Sequence, residues 1–343
     1  MIVPLNQIKR RRGMQHSTEN KGQFVLSLDF ELHWGVWDVT SINKYGSHIV
    51  GVQKVIPRLI EVFNAYDIKA TFATVGFLFA KDKAELTANL PSQLPNYADS
   101  NYNVYEKEFS AIGSNELDDP YHFGFSLFEQ LKQSNNEIGS HSFSHYYCLE
   151  EGQTEEDFEA DVLAAVHIAK KNEVILKSFV FPRNQTNEAY LQILYKHGFS
   201  NYRGNPTSWI YAPRKFRAEV PFIRLCRLLD TYLPISGYNT HTITSHAGMP
   251  VNIPASRFLK PYVPKLRLFE KLRMHRIKKE MTVAAQKNQL YHLWWHPHNF
   301  GVNLEENIAF LSSLLEHYKK LQHTYGFSNL TMEEVAMSTK NSH

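Results

Sequence analysis

The sequence predicts an α/β fold in which parallel strands alternate with helices and close into a barrel. Short apolar runs, typical of strands buried on both faces, recur along the chain, and segments with helical spacing of apolar residues lie between them. This alternation favours a parallel sheet, and the number of repeated units favours one barrel over two separate domains. A chain of 343 residues with 43% apolar content can bury a core of that size.

The first α/β unit begins at Phe24. The run FVLSLD is largely apolar and ends abruptly in charged and aromatic residues, as expected for a buried strand. Apolar residues over 52–63 then recur at helical spacing, and KATFATVG at 69–76 has the composition of a second short strand. Because barrel enzymes carry their sites at the carboxyl ends of the strands, the chemistry is expected where the first strand ends.

Later segments continue the same alternation. Gly198 can end one of the later helices, and Thr331 with Glu334 forms the pattern of a capping box for a final short helix. Periodicity predicts helices near 126–134, 158–169, 191–195 and 308–321, and strands near 137–139, 174–181 and 290–295.

We expect a single domain over residues 22–343, preceded by an N-terminal extension over residues 1–21. Two stretches interrupt the regular alternation. Residues 81–123 are polar, rich in tyrosine and rich in turns, and residues 205–265 carry many prolines and turns. Their length predicts insertions beside the site, either of which can act as a lid.

Composition excludes several classes of protein. The net charge of +3, from 37 basic and 34 acidic residues, is too small to argue for nucleic-acid binding. Cys148 and Cys226 lie far apart and form no CxxC pair, so neither a disulfide framework nor a zinc-thiolate site is indicated. No apolar stretch of a secretory signal follows the basic run at 9–12, and no run of 18 apolar residues occurs. We therefore expect a soluble cytoplasmic protein.

Two carboxylates follow the first strand, and two histidines follow another. Alternation points Asp29 and Glu31 to the same side, and the i, i+4 spacing is expected to place His141 and His145 on one helical face. Glu31 with both histidines supplies three ligands and leaves open positions, as a catalytic metal requires, while Asp29 can act as base. The histidines of an isolated HxxxH motif more often lie on the surface or in the core than bind a metal, and the carboxylates of a DxE motif commonly belong to a loop. The joint occurrence of both motifs at strand ends favours a metal site.

These residues resemble the motifs of polysaccharide deacetylases of carbohydrate esterase family 4, the NodB-homology superfamily, over about residues 22–301. SLDFELHW is similar to the first motif, which implies that Asp29 is the catalytic base and Glu31 a metal ligand, although most members have Asp at the second position. EIGSHSFSH is similar to the second motif, H-S/T-x-x-H, which implies that His141 and His145 are ligands. The resemblance also implies a distorted, seven-stranded (β/α) barrel of the glycoside hydrolase/deacetylase type.

SFVFPRNQTN resembles the third motif, in which an Arg before the Pro braces the base. Val180 stands at that position in this sequence, and Arg183 follows the Pro instead. Arg183 is therefore expected to reach Asp29 from the shifted site or to bind substrate, with an ordinary surface ion pair as the third interpretation.

LYHLWWHPHNFG resembles the fifth motif, a strand that ends in a catalytic His. We choose His296 over His298 for that role because it is nearest the strand end. The fourth motif supplies an acidic partner for the catalytic His, and Asp230 is the candidate.

The resemblance implies metal-assisted amide hydrolysis. Asp29 takes a proton from the attacking water, the metal and nearby backbone N–H groups stabilise the oxyanion, and His296 protonates the leaving amine. A divalent metal is the expected cofactor. Zinc is the default expectation, although two histidines and one carboxylate also accept iron, cobalt, nickel or manganese.

Substrate contacts are expected near the strand ends. Trp34 and Trp295 are candidates for stacking on a sugar, with core packing as the equally ordinary interpretation, and His298 and Asp230 are polar candidates. The segment 257–279 carries nine Lys/Arg against one Glu, interleaved with apolar residues. It can contact an anionic membrane or a lipid-linked glycan, although a solvated helix face is the more ordinary interpretation.

We therefore expect a hydrolase that removes an N-acetyl group from a sugar carried by a nucleotide or a lipid. The expected setting is the intracellular synthesis of a surface polysaccharide such as lipopolysaccharide or capsule. Similar proteins hydrolyse small non-sugar linear or cyclic amides, and fold alone cannot choose between these substrates. A non-catalytic carbohydrate-binding relative is a further alternative, which the missing third-motif Arg permits and the retained base and ligands oppose.

Overall fold

The computed structural model describes residues 21–215 and 220–340. The strands in this part of the chain are β1 (Gln23–Phe30), β2 (Thr71–Thr74), β3 (Glu137–Ser140), β4 (Ser178–Val180), β5 (Asn201–Arg203), β6 (Val251–Asn252), β7 (Arg257–Phe258), β8 (Leu290–Trp295) and β9 (Ser328–Asn329). The helices are α1 (Ile42–Ala65), α2 (Lys83–Ala88), α3 (Val104–Lys107), α4 (Phe125–Lys132), α5 (Glu155–Lys171), α6 (Leu191–Lys196), α7 (Pro221–Asp230), α8 (Glu270–Gln286), α9 (Leu304–Tyr325) and α10 (Met332–Lys340).

The strands form a curled parallel sheet in the order β6, β5, β4, β3, β2, β1, β8, β7, with β9 paired to the start of β1. The segment 251–259 closes the ring, because it bonds first to the β5 side and then to β8. The backbone N–H of Ala255 donates to Gly204 and that of Ser256 donates to His292, both at 2.8 Å. If β6 and β7 are counted as one bent strand, the described ring has seven strands, and the predicted α/β barrel is confirmed.

β1 is the central strand of the sheet and is buried from Phe24 onward. Its even-numbered residues pack in the large hydrophobic core beneath the helices. Alternation therefore turns Val25, Ser27 and Asp29 into the ring, one above the other. The inward side of the strand changes from apolar to polar to charged towards its carboxyl end.

Helix α10 covers the amino-terminal end of the ring. Met332 and Val335 pack with Val25 in an apolar cluster at that end. The predicted capping box is confirmed, because the backbone N–H of Thr331 donates to the Glu334 carboxylate at 3.0 Å and that of Glu334 donates to the Thr331 hydroxyl at 3.2 Å. The polar residues of the interior therefore collect at the opposite, carboxyl-terminal end.

Some predicted boundaries differ from the observed elements. The strand expected at 174–181 is shorter, because the backbone N–H of Val174 still donates to Ala169 at the end of α5. The insertion expected at 205–265 contains β6 and β7, so residues 251–259 belong to the ring. Residues 1–20 of the predicted N-terminal extension lie outside the described residues. Among the helices that are described, none is long and apolar enough to cross a membrane.

Candidate active site

Side chains from several strands converge at the carboxyl-terminal end of the ring. Asp29 lies near the end of β1, His141 follows β3, Arg203 ends β5 and His296 follows β8. The parallel arrangement brings these strand ends to one rim. Asp29, Glu31 and His296 line a cavity of about 410 Å³ at this rim.

Glu31, His141 and His145 form a three-ligand group. The Nε2 atoms of both histidines lie 3.3 Å from Oε2 of Glu31, and all three side chains are almost fully buried. One ligand atom of each residue lies within 4.8 Å of the other two. Nδ1 of His141 lies 2.9 Å from the carbonyl oxygen of Val180, which makes Nδ1 the donor and leaves the Nε2 lone pair for a ligand.

The electrostatics of this group fit a metal centre. Burial alone raises the pKa of Glu31, but the imidazoles around it hold that pKa well below its ordinary value. Burial lowers the pKa of His145 in spite of the adjacent Glu31 carboxylate. A carboxylate and a neutral imidazole are the forms that bind a metal. Two nitrogen ligands and one oxygen ligand suit zinc and its first-row neighbours.

A loop, and not the predicted helix, holds the two histidines. Ser142 and His145 both adopt left-handed backbone conformations, with φ of 59°. The Asp161 carboxylate on α5 fixes this loop by accepting from the backbone N–H groups of Phe143 and Ser144, at 2.7 and 3.1 Å, and from the Ser144 hydroxyl. The two turns bring the histidine rings to a centroid distance of 5.2 Å. The prediction of a shared helical face was therefore wrong, although the rings do meet.

Arg203 braces Asp29. Its Nη1 and Nη2 atoms each lie 2.7 Å from one carboxylate oxygen, a bidentate geometry. Nη1 also donates to the Ser27 hydroxyl at 3.0 Å, and the guanidinium lies 4.2 Å from the centre of the Trp294 ring. Burial alone raises the pKa of Asp29, but the Arg203 charge keeps that pKa below its ordinary value. Asp29 is therefore ionised, as a base must be.

The contact with Asp29 that was expected of Arg183 is therefore made by Arg203. Arg183 instead forms an ion pair with Asp38, and it lines the cavity. The physical reason lies in the backbone, because Arg183 is left-handed, with φ of 56°, in the turn after β4. This turn carries its side chain to Asp38.

The sequence did not point to Arg203, because β5 is too short to show the alternation of residues that identifies a strand. The strand covers Asn201–Arg203 and is buried throughout. The available signal was an Arg before Gly204, a few residues after the helix that Gly198 ends. A buried Arg at a strand end demands an acidic partner, and Asp29 was the acid without one.

His296 lies beside both carboxylates. Its Nε2 atom is 3.7 Å from Oδ2 of Asp29 and 3.5 Å from Oε1 of Glu31, and the side chain is 22% exposed. Its Nδ1 atom lies 3.1 Å from Oδ1 of Asn299, so Nδ1 is the donor and Nε2 faces the carboxylates. Asn299 therefore orients His296, the role for which Asp230 was the candidate.

Neither Asp230 nor His298 lines the cavity described above. Asp230 is buried in an ion cluster with Arg257 and Arg276, at 3.3 Å from each guanidinium. His298 is buried, and its Nδ1 atom lies 3.9 Å from Oε1 of Glu31. Burial lowers the pKa of His298 to about 3. His298 therefore lies with the ligand group, and Asp230 belongs to the structural layer outside the ring.

The two predicted substrate-stacking tryptophans lie in the core. Trp34 and Trp295 are fully buried. Trp34 donates its indole N–H to the carbonyl oxygen of His122 at 2.7 Å, and Trp295 stacks on Phe300. Trp294 is the tryptophan that lines the cavity, because alternation along β8 turns it inward.

Solved structures share this fold. A protein assigned as a polysaccharide deacetylase from Mycobacterium smegmatis is 12% identical, with a TM-score of 0.60, and the match covers 95% of this chain and 92% of that chain. One assigned likewise from Pseudomonas aeruginosa PAO1 is 10% identical, with a TM-score of 0.55 and coverage of 94% and 91%. The Puue allantoinase is 10% identical, with a TM-score of 0.54 and coverage of 96% and 93%.

The sequence also matches a family model. No curated protein sequence matches this chain, but the model described as polysaccharide deacetylase matches residues 45–202. That range includes His141 and His145, begins after Asp29 and ends one residue before Arg203. The resemblance to polysaccharide deacetylases is therefore confirmed by the match over residues 45–202, and the described chain shares its fold with solved structures assigned to that activity.

Proposed function

We propose that this protein is a metal-dependent hydrolase that removes an N-acetyl group from a sugar. The observation that carries the proposal is the pairing of Asp29 with Arg203 beside the three ligands Glu31, His141 and His145. An ionised, braced carboxylate next to a three-ligand group is the arrangement that hydrolytic metal sites require. A non-catalytic carbohydrate-binding module does not need an ionised carboxylate beside a metal site.

Asp29 is the proposed general base. Both of its oxygens accept from Arg203, so the carboxylate is fixed in place and remains ionised until it takes a proton from the attacking water. Glu31 and the two histidines would hold the metal. The chemistry that a bound divalent metal supplies in such a site is polarisation of the acetyl carbonyl and acidification of water.

His296 is the proposed general acid. Nδ1 is engaged by Asn299, so the proton that His296 delivers must come from Nε2, the nitrogen that faces the cavity side of Asp29 and Glu31. When protonated, Nε2 would donate its proton to the amide nitrogen of an N-acetyl group bound in the cavity. The side chain remains partly exposed, as proton exchange with solvent requires.

The lining of the cavity supports a phosphate-bearing sugar. Apart from Asp29 and Glu31, its described charged residues are basic: Arg183, Arg214, Lys215, Arg227, Arg257 and Lys260. Arg183, Lys215 and Arg257 have acidic partners.

Arg214 and Lys260 carry the excess positive charge of this lining. The Arg214 guanidinium donates to the backbone carbonyls of Trp209, Ile210 and Ala212. Among the described residues, neither Arg214 nor Lys260 forms an ion pair with an acidic side chain. Burial, with Arg273 and Arg257 nearby, lowers the pKa of Lys260. We infer that the sugar is carried by a nucleotide or a lipid phosphate, whose charge these groups would balance.

Such carriers are used in the assembly of surface polysaccharides. We therefore propose a step in the intracellular synthesis of lipopolysaccharide, capsule or exopolysaccharide, which would place the protein in the cytoplasm. Zinc is the proposed metal, because the three ligands match its preferences.

Peripheral membrane contact through 257–279 is a related proposal. Leu268 is 83% exposed, and α7 presents Phe222 and Leu225 at 63% and 51% exposure. Tyr232, just after α7, contacts the Phe269 ring at 5.6 Å, so the two apolar surfaces adjoin. Sedimentation with anionic vesicles tests this contact. Leu268→Ser should weaken binding to the vesicles, whereas the control Leu117→Ser, which changes a residue that is 96% exposed, should not. Equal binding by the two variants would exclude the contact.

A small linear or cyclic amide is the second candidate substrate, and the fold shared with an allantoinase is the observation that favours it. A panel of N-acetylated sugars, sugar phosphates and ureides, assayed with the metal-loaded protein, separates the two. Acetate release from sugars alone supports deacetylation. Turnover of a ureide without acetate release would replace it.

A further inference from the structure

A second group of metal-ligating side chains lies outside the site described above. His33 follows Glu31 by two residues, and Glu108 and His122 belong to the segment 81–123. One ligand atom of each lies within 4.8 Å of the other two, and Nε2 of His33 is 3.3 Å from Oε1 of Glu108. These three residues are named here the His33 cluster. The proposed deacetylation uses none of them.

His122 carries a buried nitrogen without a hydrogen-bond partner. Its Nδ1 atom lies 2.7 Å from Oδ2 of Asp119, whereas its Nε2 atom is buried and has no partner among the described residues. The residue is 4% exposed. A carboxylate on one ring nitrogen fixes the proton there and leaves a lone pair on the other, which is how metal-binding histidines are commonly oriented. No described residue uses the Nε2 lone pair of His122, which is therefore left for a bound metal ion.

Two hydrogen bonds to backbone carbonyls hold the two segments of the cluster together. The backbone N–H of His33 donates to Tyr121 at 3.1 Å, and the indole N–H of Trp34 donates to His122 at 2.7 Å. The rings of His33 and His122 meet edge to face, with centroids 5.2 Å apart. The ligands are therefore positioned before any ion binds, as a tight site requires.

An ion can reach the cluster from solvent. A shallow surface depression includes His33 and Glu108 in its lining. The Glu108 side chain is 21% exposed, whereas that of His33 is only 2% exposed. Three buried or half-buried protein ligands with an open side leave room for water as the fourth ligand.

We propose that the His33 cluster binds a second divalent transition-metal ion, such as zinc, through His33, Glu108 and His122, with Asp119 as the residue that orients His122. Two nitrogen ligands favour this class of ion over magnesium or calcium, which prefer oxygen ligands. The ion would tie the segment 81–123 to the loop that begins at Glu31. Its role is structural, and it does not depend on the proposed deacetylation.

Metal content after dialysis against zinc, measured by mass spectrometry, tests the proposal. Wild type is expected to hold two zinc ions per chain, and Glu108→Gln, His122→Ala and His141→Ala are each expected to hold one. His197→Ala is the matched control, because His197 pairs with Glu159 at 2.6 Å and belongs to no three-ligand group among the described residues. This control should keep both ions.

Glu108→Gln is the decisive variant, because its partly exposed side chain can be changed without opening a cavity. Loss of one ion in Glu108→Gln, with thermal unfolding that no longer responds to the second equivalent of zinc, supports the site. Two retained ions in Glu108→Gln, or a single ion in wild type that only His141→Ala removes, overturns it. Neither outcome depends on acetate release, so the deacetylase proposal is tested separately.

Discussion

Val180 and Arg203 are paired in register on adjacent strands, and Arg203 makes the bidentate contact with Asp29. Val180 stands where the third family motif has its Arg. Asp29, the proposed base, is therefore braced from the neighbouring strand, one position along the ring. A guanidinium that enters from β5 reaches the same carboxylate because both strand ends open on the same rim.

Replacement of Arg203 is expected to abolish most activity. Arg203→Lys keeps the charge but loses the bidentate geometry, so acetate release should fall by about 10²-fold, within the usual range of a general-base contribution. Arg203→Met leaves a buried, unpaired Asp29 and should also lower the free energy of unfolding by about 3–5 kcal/mol. Turnover rates and urea unfolding measure the two effects.

Arg183→Met is the matched control for the two Arg203 variants. Arg183 lines the cavity and forms its ion pair with Asp38, so its removal should affect substrate binding and leave the contact between Arg203 and Asp29 intact. A larger loss of kcat in Arg183→Met than in Arg203→Met would mean that Arg183 is the functional brace.

Asp161→Asn is expected to weaken metal binding from a distance. The Asp161 carboxylate accepts from two backbone N–H groups and from the Ser144 hydroxyl, and an amide group cannot replace all of these. The loop that carries His145 should loosen, and metal affinity should fall by about 10- to 100-fold. Glu156→Gln, at an exposed position on the same helix, should retain wild-type affinity in a competitive chelator titration.

Glu137 makes stability depend on pH. Its carboxylate accepts from Thr71, Ser178 and the backbone N–H of Glu333, yet burial raises its pKa above the ordinary value of 4.5. The folded state then binds the proton more tightly than the unfolded state. Its contribution to stability is complete below pH 4.5 and is lost as the pH rises through the raised pKa.

Glu137→Gln removes this titration. Its free energy of unfolding relative to wild type should therefore rise with pH from 4.5 upward, then level off above the folded pKa. Urea unfolding across this pH range measures the difference, and Glu156→Gln, at an exposed position, serves as control. A flat difference for Glu137→Gln would show that the carboxylate is not held as described.

Lys260→Met is expected to raise KM for a phosphate-bearing N-acetyl sugar by about tenfold, the usual worth of one charged hydrogen bond. The kcat value should stay within about twofold, because among the described residues no hydrogen bond or ion pair joins Lys260 to Asp29 or to the three proposed ligands. Lys265→Met, at an exposed position, is the control. Equal KM values for phosphorylated and free N-acetylglucosamine in wild type would exclude the anionic carrier.

The parts of the site that could be predicted were those tied to strong local patterns. Asp29 and Glu31 end a buried strand, and His141 and His145 follow another, so parallel topology alone brought them to one rim. The conformation of the His141 loop could not be predicted, because the bonds that fix it come from Asp161 on α5. Spacing alone could not distinguish a helix from two left-handed turns.

Other contacts depended on long-range packing that periodicity does not encode. Arg203 lies on a three-residue strand, and Asn299 reaches His296 through a tight turn after β8. Trp34 was expected near the sugar because it follows Glu31 closely. Its burial follows from the segment 81–123, whose residues cover it.

Acetate release and metal content, measured together on wild type, Asp29→Asn and His141→Ala, test the central proposal most directly. We expect wild type to release acetate from an N-acetylated sugar, Asp29→Asn to keep its metal and release none, and His141→Ala to lose one ion together with activity. Acetate release by Asp29→Asn at the wild-type rate, or none from any N-acetylated sugar by metal-loaded wild type, would contradict the proposed deacetylase mechanism.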